Sequence, residues 1–137
     1  MKKLKIYNEI KGFRVPRAKL GQAFDRFVRT EKVGRKFDVR LVFVGEAAIA
    51  KLNKKWRDVD EPTDVLSFNY DGGKAGEGEI YICVRVAEKN AREDGRSVGE
   101  EVLFLFVHGL LHLGGHTHEN KRKYDEMMER ARGILGI

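Results

Sequence analysis

Cysteine is almost absent from this chain. Cys83 stands alone among 137 residues, so no intrachain disulfide can staple the fold and no thiolate cage can hold a metal. It lies in an apolar run, where a thiol is expected to be buried and inert. No segment approaches the roughly 20 apolar residues that a bilayer-spanning helix needs. The opening residues, Met1-Lys2-Lys3-Leu4-Lys5, also lack the apolar centre of a signal peptide, and a cytoplasmic location is the expectation. Proline occurs twice, at Pro16 and Pro62; the first suits the opening turn of a helix and the second breaks one. Histidine is scarce as well. The chain has four, and all of them fall between positions 108 and 118.

What is present suits one domain spanning residues 1–137. Hydrophobic residues make up 42% and aromatics 9%, enough for a real core and too many for a disordered chain. Lysine and arginine number 27 against 21 acids, a net charge of +6. That excess suits a polyanionic partner without specifying one.

Strands and helices alternate along the chain, which predicts a mixed α/β sheet. Leu4 and Ile6 mark a first short strand. Leu20, Ala23, Phe24, Phe27 and Val28 form the apolar face of the helix opened by Pro16. Residues 37–44 read as a strand buried on both sides, because Val42 and Val44 interleave with Phe37, Val39, Leu41 and Phe43. Ile49, Leu52 and Trp56 then mark a helix flanked by Lys51, Lys54, Lys55 and Arg57. Residues 65–70 predict a strand near a sheet edge, 71–78 a flexible turn, and 80–84 another strand. Residues 86–93 are helical in composition. A last helix from about Asn120 is expected to bury Tyr124, Met127, Met128, Ala131 and Leu135.

The chemistry gathers in His108-Gly109-Leu110-Leu111-His112-Leu113-Gly114-Gly115-His116-Thr117-His118. Ser97 and Glu100 have capping-box spacing, so a helix starts there. His108 and His112, four apart, stack on one face of it, where two imidazoles can reach one metal ion. Gly114-Gly115 ends the helix, since glycine accepts the left-handed conformation of a C-terminal cap, and the chain can then fold back to deliver His118 as a third nitrogen. Three imidazoles leave the fourth position of tetrahedral zinc open, the pattern of a catalytic site. Spacing favours His118 as the third ligand, with His116 as a competitor or a solvent-facing neighbour. The residues alone therefore point to a zinc hydrolase, and Arg57 suits a phosphodiester because its guanidinium fork donates to two oxygens at once.

These histidines, with Gly109, Leu111, Leu113 and Gly115 between them, resemble the signature of the YbeY family of bacterial rRNA-maturation endoribonucleases. Arg57 followed by Thr63-Asp64-Val65-Leu66-Ser67-Phe68 resembles a second signature of that family. The resemblance covers nearly the whole chain, with two departures: Thr117 stands where the family has an acid, and Glu79 where it often has Asp. It implies an α+β fold of zincin-like architecture, a small mixed sheet packed with helices, the metal-binding helix among them. It further implies a zinc-dependent, single-strand-specific endoribonuclease with one zinc ion, held by His108, His112 and His118. The implied work is rRNA processing, including maturation of the small-subunit rRNA 3′ end, and ribosome quality control. Single-stranded rRNA, the small ribosomal subunit and its assembly factors are the implied partners. By the same resemblance Arg57 lies near the metal and contacts the scissile phosphate, and Ser67 lies at the substrate; independently of it, Asp64 and Glu79 are candidate helpers. The general base stays open.

Two other readings compete. The H-x-x-x-H-x-x-G-x-x-H spacing is also that of metzincin proteases, but their base, a Glu directly after the first His, is replaced here by Gly109. A noncatalytic RNA- or ribosome-binding module would instead hold its metal in a closed site that includes His116.

Overall fold

The computed structural model describes residues 2–31, 33–70, 76–117 and 119–137. Nine elements follow in order: β1 (Lys2–Asn8), α1 (Arg17–Thr30), β2 (Phe37–Val44), α2 (Glu46–Arg57), β3 (Val65–Asn69), β4 (Glu77–Cys83), α3 (Val84–Asp94), α4 (Val98–Leu113) and α5 (Lys121–Leu135). The expected α+β class is observed. The sheet runs β1-β2-β4-β3. β2 pairs in parallel with both β1 and β4, and β3 closes one edge antiparallel to β4.

Alternation along the strands divides the apolar residues between two faces. Phe37, Val39, Leu41, Phe43, Ile80 and Ile82 pack with α1, α4 and α5 in the main core. Val42, Val44, Leu66 and Cys83 pack with Ile49 of α2 on the other face. Residues 37–44 are thus covered on both sides, as their composition predicted. Cys83 is buried, and that burial raises its thiol pKa, so little thiolate forms at neutral pH.

Three expectations need correction. β4 begins at Glu77 rather than near Ile80, because Glu77 and Gly78 already pair with Asp38 and Val39; residues 71–75 of the expected turn lie outside the described residues. The buried stripe of α5 is Met127, Ala131 and Ile134, whereas Tyr124 is 46% exposed. Trp56 is 59% exposed: it sits one residue from the end of α2, with the Phe68 ring against it.

α4 is the central helix, buried on nearly every side between the sheet, α1, α3 and α5. Its start is the expected capping box, in which the Glu100 amide donates to Ser97 Oγ at 3.1 Å and the Ser97 amide to Glu100 Oε1 at 2.9 Å. Gly109 is where α4 touches β4. A Cβ built on Gly109 lies 3.0 Å from both Cδ1 and Cγ2 of Ile80, so a methyl group there would have to push the buried Ile80 side chain aside by a few tenths of an ångström. Gly109→Ala is therefore expected to destabilise the protein by about 1–2 kcal/mol through overpacking. The same change at an exposed helical glycine would stabilise it by about 1 kcal/mol. Urea melts decide between them, and a gain in stability would remove the packing argument.

Candidate active site

A cleft of about 560 Å³ opens between α4, the end of α2, and the segment that runs into β3. Each wall has a local cause. α2 ends because Asp58 turns left-handed, with φ of 57°, a conformation that Asp tolerates better than most residues. The buried Asn53 then donates from Nδ2 to the Glu61 carbonyl at 2.9 Å, tying the following loop to the helix. Pro62 lies in that loop, and Asp64 enters β3 by accepting the Cys83 amide on its carbonyl at 2.9 Å.

The cleft brings Arg57, Asp64, Ser67, His108 and His112 together. His108 and His112 rise from one face of α4 with ring centroids 4.8 Å apart and planes at 67°. Val65 belongs to the main core while Leu66 and Phe68 pack on the other face; alternation therefore turns Ser67 toward α4. Arg57 is exposed and, among the described residues, forms no ion pair or hydrogen bond. A guanidinium with no internal partner is available to an anion in the cleft.

Asp64 is held from behind. Asn90 of α3 donates from Nδ2 to Asp64 Oδ2 at 3.3 Å, and Thr63 Oγ1 reaches Oδ1 at 3.4 Å. Glu101, two turns before His108 on α4, is buried near the same Asn90 and Asp64. Arg96 Nη2 comes within 3.2 Å of Glu101 Oε1. The angle misses hydrogen-bond geometry, so this is a charge contact. Burial raises the Glu101 pKa above its ordinary 4.5, and Asp64 and Asp94 add to the shift against the opposing pull of Arg96. The folded state thus holds this proton to a higher pH than the unfolded chain. Stability falls as pH rises through the window above about 4.5, and the full penalty is present once Glu101 ionises. Glu101→Gln removes that penalty. Its stability relative to the parent is expected to be higher at pH 7 than at pH 4, read by urea melts at both values; a pH-independent difference would refute it.

Glu79 is not brought to the cleft. Gly78 and Ile80 face α4, so alternation turns Glu79 to the opposite side of the sheet. There it accepts a 2.5 Å hydrogen bond from Tyr70 Oη and lies 3.9 Å from Arg40. That bond raises the Tyr70 phenol to a pKa of about 12. Its role as a catalytic helper is therefore not supported by its position.

The turn after α4 is more tightly determined than glycine content suggested. The Gly115 amide donates to the His112 carbonyl at 3.0 Å and the His116 amide to Leu111 at 2.9 Å, with Gly115 at φ of 97°. This is the bonding of a Schellman cap. His116 Nε2 then lies 2.7 Å from Glu31 Oε1, while Arg130 Nη1 donates to Glu31 Oε2 at 3.1 Å. His116 thus links the turn to the end of α1, and Glu31 links both to Arg130 of α5. His118, the expected third ligand, lies outside the described residues. Among the described residues no group of three metal-binding side chains converges, but the two imidazoles in the cleft are of the donor type that zinc accepts.

Sequence reading missed Asn53, Asn90, Glu101 and Glu31. Two of them carried a signal: Asn53 interrupts the apolar series Ile49, Leu52, Trp56, and Glu101 interrupts Val98, Val102, Leu105. A polar group inside an apolar stripe implies a buried partner.

Comparison with known proteins agrees with this architecture. Residues 5–136 match the family model described as "Endoribonuclease YbeY". A protein of that name from Pelotomaculum thermopropionicum is 38% identical over 85% of this chain and 82% of its own length. The one from Moorella thermoacetica is 37% identical with the same coverage of both chains. A solution structure of a Thermotoga maritima protein aligns over 98% of this chain and 90% of its own, with TM-score 0.66 and 30% identity. The family match, the relatives and the fold therefore agree over nearly the full length, and the chain belongs to the endoribonuclease YbeY family.

Proposed function

We propose that this protein is a cytoplasmic, zinc-dependent endoribonuclease that cleaves single-stranded RNA in rRNA processing. Maturation of the small-subunit rRNA 3′ end is its task, and the small ribosomal subunit and its assembly factors are its partners. The observation that carries the reading is the cleft itself, which is lined by a guanidinium with no partner among the described residues, a carboxylate and two imidazoles set edge to face. His108, His112 and His118 hold the metal. When bound, zinc supplies a Lewis acid that polarises a phosphoryl oxygen and acidifies water.

The remaining chemistry belongs to the chain. Arg57 binds two nonbridging phosphate oxygens and stabilises the negative charge that grows on them in the transition state. Ser67, turned toward α4, donates a hydrogen bond to the sugar or phosphate. Asp64, held by Asn90 and Thr63, accepts a proton from the attacking hydroxyl in this reading. The protease reading loses ground because a side chain at position 109 would point at Ile80, leaving no place for the metzincin base. The test is purified protein with and without zinc on single-stranded and duplex RNA. Zinc-dependent cleavage confined to the single strand is the expected result; cleavage of casein instead would revive the protease.

A further inference from the structure

The chain has a single tryptophan, and it is not in the core. Trp56 is 59% exposed and lines the same cleft as Arg57, His108 and His112. A lone exposed aromatic is ordinary on a protein surface, but one on the rim of a substrate cleft stands where a ligand would meet it.

The ring is also held in place. Phe68 meets it at a centroid distance of 5.6 Å and an angle of 51°. Phe68 is itself set edge-on against Tyr81, at 6.0 Å and 69°, so a row of three rings runs from the sheet to the cleft. Lys55 Nζ lies 5.1 Å from the Trp56 ring centroid, a flexible cation that a ligand can displace. The left-handed turn at Asp58 and the bond from Asn53 to Glu61 fix the end of the helix that carries the ring.

We propose that Trp56 is a stacking platform for one unpaired nucleobase of the RNA, next to the phosphate bound by Arg57. The proposal rests on the endoribonuclease reading and adds a physical cause for strand preference. Every base has a π-face, so stacking on an aromatic ring tolerates any sequence. A base inside a duplex already has both faces covered and cannot reach the ring. Trp56 is thus a binding residue that takes no part in proton transfer or metal binding.

Because Trp56 is the sole tryptophan, its emission reports on this ring alone. The zinc-loaded protein is mixed in a stopped-flow instrument with single-stranded oligoadenylate or with a duplex of equal length, and emission is read before cleavage proceeds. Quenching by the single strand and none by the duplex is expected. In steady-state cleavage, Trp56→Ala is expected to raise KM for single-stranded RNA about 5- to 150-fold, the equivalent of the roughly 1–3 kcal/mol of one base stack, with kcat nearly unchanged. Trp56→Phe should recover most of the loss and confirms that the site still folds. Cleavage by the parent with no change in emission would overturn the platform, as would an unchanged KM in Trp56→Ala. Quenching by the single strand in a protein that cleaves no RNA would support the platform while refuting the endoribonuclease reading.

Discussion

Replacing Arg57 by alanine is expected to lower kcat on single-stranded RNA about 100- to 1,000-fold, the usual cost of losing one preorganised donor to a transition-state oxyanion. Metal content and melting temperature should not change. Arg57 is exposed and has no internal partner among the described residues, so its removal leaves no buried charge behind. Arg57→Lys should recover little, because an ammonium is a point charge and cannot span two oxygens in a planar fork. KM should move less than kcat if the contact strengthens as charge builds on the phosphate. Cleavage at the parental rate by the alanine variant would reduce Arg57 to a cation favoured at a helix C-terminus, where Lys54 and Lys55 already sit.

His108→Ala, His112→Ala and His118→Ala are each expected to reduce bound zinc from stoichiometric to trace amounts and to bring cleavage down to background. The first two should still fold, since alanine is the better helix former and the histidines lie at the cleft rather than in the main core. His116→Ala is expected to keep its metal, because that ring is engaged with Glu31. Its loss should register as a modest drop in stability, as Glu31 would keep Arg130 alone as a partner among the described residues. Atomic emission on the purified variants measures the first quantity and thermal melts with and without chelator the second. Zinc lost in His116→Ala and retained in His118→Ala would reverse the assignment.

What the sequence made legible was local. The capping box at Ser97 and Glu100 and the glycine stop after Leu113 are written within a few residues of where they act. So is the two-sided burial of β2, because a continuous apolar run of strand length admits few other arrangements. What stayed hidden depends on partners distant in the chain. Glu31 meets His116 and Arg130 across 85 and 99 positions, and no periodicity reports such a contact. Glu79 illustrates an intermediate case. Its neighbours showed that it faces away from Gly78 and Ile80, but which face carries α4 is settled only by packing. Trp56 misled for a different reason: helical spacing from Ile49 and Leu52 places it on the apolar side of α2, yet the helix ends one residue later.

The order of the two cleft walls along the chain has a consequence for when activity can begin. Arg57, Asp64 and Ser67 come from the middle of the sequence and the histidines from near its end. At about 5–20 residues per second, a ribosome takes roughly 3 to 11 s to travel from codon 57 to codon 112. A nascent chain therefore carries Arg57, Asp64 and Ser67 before it has any histidine to oppose them. Until α4 emerges and seats Gly109 on Ile80, the cleft lacks its second wall, so the site is completed only when the chain is nearly finished.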